Sequence, residues 1–173
     1  MAEVVKRLRP RIVVPICVGS NPIFRPIIKV PFGTFLVDRG SMSRLSERIE
    51  NFNRAFKIYN DAVLAYRNDK QNQLMHMALV QTFEITYELS WKILKDYLKS
   101  KGIIANYPKE VIKEAFATET IKDGQTWIDM LETRNSTSHE CNMDKIDKML
   151  EDIAYKYFDE LTLFAENLKD FND

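Results

Sequence analysis

The sequence predicts an all-α protein, an antiparallel bundle of four or five helices. Three observations predict it. Apolar residues recur three and four apart over long stretches, and no strand-like alternation interrupts residues 43–170. The breaks between stretches are short and rich in Gly, Pro, Asn and Asp, as bundle connections are. Of the 173 residues, 45% are hydrophobic and 29% charged, ordinary proportions for a globular chain long enough to bury a core.

In "SRLSERIENFNRAFKIYNDAVLAY", Leu45, Ile49, Phe52, Phe56, Tyr59, Val63 and Tyr66 form one stripe by alternating spacings of four and three. Ser43 is the expected N-cap, and Asn68-Asp69 ends the pattern. A longer helix over 71–100 is apolar around most of its circumference, so it is expected at the centre, closed by Gly102. Glu84, Glu88 and Lys92 stand one turn apart on one face of it. A solvated ladder and a polar edge facing a cleft or partner both fit them. Phe83, Tyr87 and Trp91 recur at helical spacing, which ordinarily means core, with nucleobase stacking the alternative. His76, amid Leu74, Met75 and Met77, reads as a core-edge histidine.

Asn106 and Pro108 open a short helix, "PKEVIKEAFA", with Pro at a first-turn position. "DGQTWIDMLETRN" is another, with Trp127, Met130 and Leu131 on its apolar side. The last runs from about Met143 to Lys169 through Ile146, Met149, Ile153, Tyr157, Leu161, Phe164 and Leu168. Asn142 is its expected N-cap, and Asp144 places a negative charge where the helix dipole favours one.

Charge is balanced overall but not along the chain. Residues 1–41 carry seven basic residues against Glu3 and Asp38, a net charge of +5, leaving −5 for the remainder. They also hold five of the six prolines and three of the five glycines. "KRLRPRIVVPICVG" has a short apolar run that Pro15 interrupts and no convincing cleavage site, so it is not read as a secretory leader. The expectation is an irregular N-terminal extension over 1–41, with Met42 the natural start and one domain over 42–173. The zero net charge supplies no global field for nucleic acid or an anionic membrane, so any RNA contact must be local. No run of 18 apolar residues exists, so no membrane span is expected. Cys17 and Cys141 have neither metal-ligand spacing nor a disulfide framework. No metal or cofactor is expected, and a reducing cytoplasm is the simplest setting.

The stretch "TRNSTSHEC" holds one of only two histidines, five positions after Arg134. On an unbroken helix that separation turns the chain about 140° beyond a full circle, pointing the two side chains apart. Asn135, Ser136, Thr137 and Ser138 weaken a helix interior, since their side chains compete for backbone groups. The stretch therefore reads as a junction where Arg134 and His139 can converge, with His139 just before a helix N-terminus that favours anions. Histidine moves protons near neutral pH, arginine grips a phosphate bidentately, and Asn135 can orient either. That set suffices for metal-independent RNA cleavage by the neighbouring 2′-hydroxyl. Taken alone the signal is weak, since Arg and His in a polar helix junction are usually capping, solvent-facing groups.

"ALVQTFEITYELSWKILKDYLKSKG" followed by "TWIDMLETRNSTSH" resembles the nucleotidyltransferase substrate-binding protein family, within the HEPN superfamily. The likeness covers 42–170 and rests on Phe83, Glu84, Tyr87, Glu88, Trp91, Lys92, Trp127, Arg134, Asn135 and His139. It implies a helical bundle of the HEPN type that forms a homodimer, with two Arg-Asn…His motifs across one cleft. It also implies a minimal nucleotidyltransferase (MNT) partner in a toxin–antitoxin module, with Arg134, Asn135 and His139 catalytic where the toxin is an active endoribonuclease. A non-catalytic subunit that binds nucleotide or substrate for that partner is the alternative. Glu84, Tyr87, Glu88 and Trp91 are then the expected cleft or partner contacts. The family's motif usually continues His-x-Tyr, the tyrosine accepting AMP from the partner; here that position is Cys141. A thiol is a poor substitute for the phenol, which puts neutralisation by that route in doubt. The chain has no Gly-Ser turn followed by paired aspartates, so no nucleotidyltransferase activity of its own is expected.

The composition break predicts that residues 1–41 are dispensable for folding. A chain beginning at Met42 should keep its helicity and melting temperature, and a large loss of cooperative unfolding would refute this boundary.

Overall fold

The computed structural model describes residues 44–136 and 143–172. The expected N-terminal extension, the Ser43 and Asn142 caps, Cys17, His139 and Cys141 lie outside the described residues. Five helical rods appear in order: α1 (Arg44–Asn68), α2 (Gln73–Ser100), α3 (Pro108–Ala117), α4 (Gly124–Ser136) and a long final rod. That rod comprises α5 (Met143–Asp152), a π-helical turn (Ile153–Tyr157) and α6 (Phe158–Asn167), ending in a 3₁₀ turn (Leu168–Asn172). Among the described residues there is no strand, and the all-α bundle expected from the periodicity is the architecture found.

Local chemistry sets the boundaries. The Asn72 side chain accepts from the Leu74 N–H at 3.1 Å, capping α2, which starts at Gln73 rather than at the expected 71. At the other end Gly102 takes a left-handed φ of 84°. The Gly102 N–H then donates to Lys99 O (3.0 Å) and the Ile103 N–H to Leu98 O (2.9 Å), a complete Schellman stop. In front of α3 the Glu110 carboxylate accepts from the Asn106 N–H at 3.0 Å, and Pro108 fills the first helical position where no donor is needed. Asp123 caps α4, accepting from the backbone N–H (3.0 Å) and hydroxyl (2.6 Å) of Thr126.

The short α1–α2 turn forces an antiparallel pair. Arg48 near the start of α1 meets Asp96 near the end of α2 at 2.9 Å, while Tyr66 and His76 meet ring against ring at the opposite end. His76 is thus the core-edge residue expected, its Nε2 2.8 Å from Lys70 O. The final rod lies antiparallel to α1, pairing Phe52 with Phe164 and Lys70 with Glu151. Between the rods runs a continuous aromatic core. Phe52, Phe164, Trp127, Tyr87, Phe83 and Tyr157 touch in sequence, with ring centroids 5.2–6.2 Å apart.

The π-helical turn was not expected, and the stripe explains it. From Met149 the apolar residues Ile153, Tyr157 and Leu161 follow at three successive spacings of four. On a regular helix each such step drifts the stripe by about 40°, roughly 120° in all. A turn widened by one residue absorbs that drift and keeps Ile153, Tyr157 and Leu161 buried. Widening disrupts the regular carbonyl ladder, and α1 supplies replacement donors. The Tyr59 hydroxyl donates to the Ile153 carbonyl and the Arg67 guanidinium to the Ala154 carbonyl.

Tyr59 is fully buried, so Tyr59→Phe should strand the Ile153 carbonyl. A loss of about 1–3 kcal/mol is expected. It should lower the urea midpoint without changing the slope. An unmoved midpoint would show that the π turn satisfies its own carbonyl.

Candidate functional site

A pocket of about 310 Å³ opens between α2, the start of α3 and the last turn of α4. Tyr87, Glu88, Trp91, Leu131, Arg134 and Asn135 line it, joined by Tyr107, Pro108 and Lys109. Helical geometry delivers Arg134 there. It follows Trp127 by seven residues and Leu131 by three, so all three share one face of α4. Trp127 is anchored twice: its indole N–H donates to Glu160 Oε1 at 2.9 Å, and its carbonyl accepts from the Tyr87 hydroxyl at 3.4 Å. Thr133 and Tyr157 share a hydroxyl–hydroxyl bond of 2.9 Å, and Lys156 meets Asp129 at 2.6 Å. These contacts fix the α4 end against the final rod.

Glu88 organises the pocket's charge. Its carboxylate lies 2.8 Å from Lys92 Nζ and 3.7 Å from Arg134 Nη2, and it accepts from the Trp91 indole N–H at 3.0 Å. Burial pushes the Glu88 pKa upward, but the Lys92 and Trp91 hydrogen bonds and the Lys92 and Arg134 charges prevail, leaving it below the usual value. Tyr87 is raised by burial and then by the Glu88 charge, so its phenol is neutral at physiological pH. Arg134 keeps 45% of its side chain exposed and donates to Asn135 Oδ1 at 3.3 Å. An exposed guanidinium beside an amide and an indole can receive an anionic oxygen.

The structure therefore brings together five of the expected residues: Tyr87, Glu88, Trp91, Arg134 and Asn135. Glu84 lies one turn before Glu88 and does not line this pocket. Of the ladder expected on α2, the Glu88–Lys92 rung is present, and Glu88 also faces the pocket; both readings of that edge hold for one carboxylate. Phe83 and Tyr87 are buried as core residues should be, while Trp91 is half-buried at the rim. Helix α4 runs on to Ser136, so Arg134 and Asn135 stand in its last turn, and only residues 137–142 are left for a junction. His139 and Cys141 fall there, outside the described residues.

Tyr107, Pro108 and Lys109 were missed by sequence reasoning. Their signal was Gly102, whose left-handed turn reverses the chain and sends residues 103–109 back along α2. The Lys95 ammonium, donating to Asn106 O at 3.2 Å, marks the returning segment.

The family model described as "Nucleotidyltransferase substrate binding protein like" matches residues 47–170. The chain belongs to this family. The match spans every pocket residue, and the HEPN placement is consistent with it. A crystal structure of a Thermus Thermophilus protein, ttk003001694, is similar at 21% identity and a TM-score of 0.45, covering 74% of this chain and 95% of that one. No curated protein matches significantly. The family's name implies a nucleotidyltransferase partner, and no helix among the described residues is long and apolar enough to cross a membrane.

The depressed Glu88 pKa gives a signed prediction. A carboxylate whose folded pKa lies below its unfolded value stabilises the fold above the unfolded pKa, about 4.3 for Glu, and loses that effect as pH falls through the folded value. Glu88→Gln should therefore weaken the family bundle at pH 7, by under about 1 kcal/mol because the pair is part-exposed. The difference from the parent should close in acid. A gap of constant size from pH 7 to pH 3 would remove the ionic explanation.

Proposed function

We propose that this protein is the HEPN member of a two-component HEPN/MNT toxin–antitoxin module, a metal-independent endoribonuclease restrained by its minimal nucleotidyltransferase partner. The observation that carries this reading is the half-exposed Arg134 with Asn135 at the rim of a pocket. His139 follows only three residues after α4 ends. In the proposed reaction the substrate's 2′-oxygen forms a bond to the adjacent phosphorus as the bond to the 5′-oxygen breaks. His139 transfers the proton, and Arg134 stabilises charge building on the phosphoryl oxygens. The products are a 2′,3′-cyclic phosphate and a 5′-hydroxyl. We place the protein in the cytoplasm as a homodimer. Leu74, Met77 and Ile85, exposed on one face of α2, support a further apolar contact there.

A second reading has a specific observation in its favour. Arg134 approaches a carboxylate of its own chain, Glu88, and Cys141 stands where the AMP-accepting tyrosine is usual. Both suit a subunit that binds nucleotide or substrate for a partner and cleaves nothing.

Purified protein should cleave RNA in the presence of a chelator and leave cyclic phosphate ends. His139→Ala should cost about 10²–10⁴-fold in rate. Arg134→Ala should be comparably damaging, with the melting temperature of both variants retained. If the parent cleaves no RNA while binding its nucleotidyltransferase tightly, the binding-subunit reading replaces the catalytic one.

A further inference from the structure

A second groove, of about 510 Å³, begins where the first pocket ends, and Trp91 lines both. Its walls carry Arg44 and Arg48 from the start of α1, and Lys92, Lys95 and Lys99 from the second half of α2. The only carboxylate among its lining residues is Asp96, which is ion-paired to Arg48. Glu88, at the boundary, engages Lys92.

This concentration of charge is not what folding alone would select. Arg44 and Arg48 are four apart, as are Lys95 and Lys99, and like charges at that spacing destabilise a helix. Residues 42–173 are net −5, so acidic side chains were plentiful, yet the groove gathers five cations. Lys92, Lys95 and Lys99 follow one helix face along about 10 Å of axis. A row of point charges suits successive phosphates of a chain better than one clustered polyphosphate. The row leads to a part-exposed indole and then to Arg134. A cationic track beside an aromatic platform is how single strands are held without sequence preference.

We propose that the groove bounded by Arg44, Arg48, Lys92, Lys95 and Lys99 is a track for the phosphodiester backbone of single-stranded RNA, feeding the strand past Trp91 into the Arg134 pocket. The inference rests on the reading of that pocket as an RNA site, and it assigns that reading's substrate: an unpaired strand several nucleotides long.

The test uses the full chain carrying His139→Ala, so that a fluorescein-labelled 12-nucleotide oligouridine is bound rather than cut. Fluorescence anisotropy should show binding that weakens with salt. Adding Arg44→Ala, Lys95→Ala and Lys99→Ala should weaken it about tenfold or more and make the logarithmic salt slope shallower by about 0.7 per lost phosphate contact. Should the triple change lower the melting temperature, Lys99→Gln alone, at an exposed position, must still make the slope shallower by about 0.7. Unchanged affinity and slope would overturn the track. So would failure of oligouridine to bind, or binding of ATP that oligouridine does not displace. Cleavage by the His139-containing parent is scored separately. Groove-dependent binding without cleavage upholds the track and removes the ribonuclease reading. Cleavage with binding indifferent to the three cations does the reverse.

Discussion

Trp127 is the residue on which the arrangement of the site depends. It is fully buried, and its ring lies against Tyr87 of α2 and Phe164 of α6. Its indole N–H reaches Glu160, and its carbonyl receives the Tyr87 hydroxyl. One side chain on a helix of thirteen residues thus fixes α4 against two rods at once. Met130 is buried too, and the Thr133–Tyr157 and Asp129–Lys156 contacts brace the helix end, but Trp127 reaches both rods and so sets the rotation that brings Leu131 and Arg134 to the pocket. The arrangement has a cost: Glu160 is partly buried, which raises its pKa despite the bond from Trp127. The fold tolerates a poorly solvated carboxylate to keep the indole in register.

Much of this was legible in the residues. Stripes with spacings of three and four gave α1 and the final rod because burial imposes that period wherever a helix has one wet face, and α2 was read from its largely apolar circumference. Gly102 was legible because a left-handed residue is needed at a helix stop. The π turn was harder to read. Its signal, three consecutive spacings of four from Met149 to Leu161, passes for ordinary helical periodicity unless the drift is summed. The pocket was half legible. Tyr87, Glu88 and Trp91 share α2, and Arg134 with Asn135 shares α4, so each group could be assembled from helical spacing. Joining the groups required the Trp127 anchor, a long-range contact that no local pattern encodes. Tyr107 and Lys109 were missed although Gly102 signalled the reversal that returns them along α2.

Glu88 links the two halves of the charged surface. Its carboxylate engages Lys92, which lines the groove, and Arg134, which lines the pocket, while the Trp91 N–H between them holds it in place. A bundle with cations gathered on one side would repel itself unless anions sat among them, and Glu88 and Asp96 both occupy such positions. Its contact with Arg134 is long, 3.7 Å, and Arg134 remains nearly half exposed. On the proposed ribonuclease reading, a phosphate reaches Arg134 without evicting Glu88, because the planar fork can receive oxygens from more than one side. The same carboxylate therefore ties the pocket to the groove through Lys92 and Arg134 while leaving Arg134 part-exposed, which a shorter, bidentate pair at this position would not do.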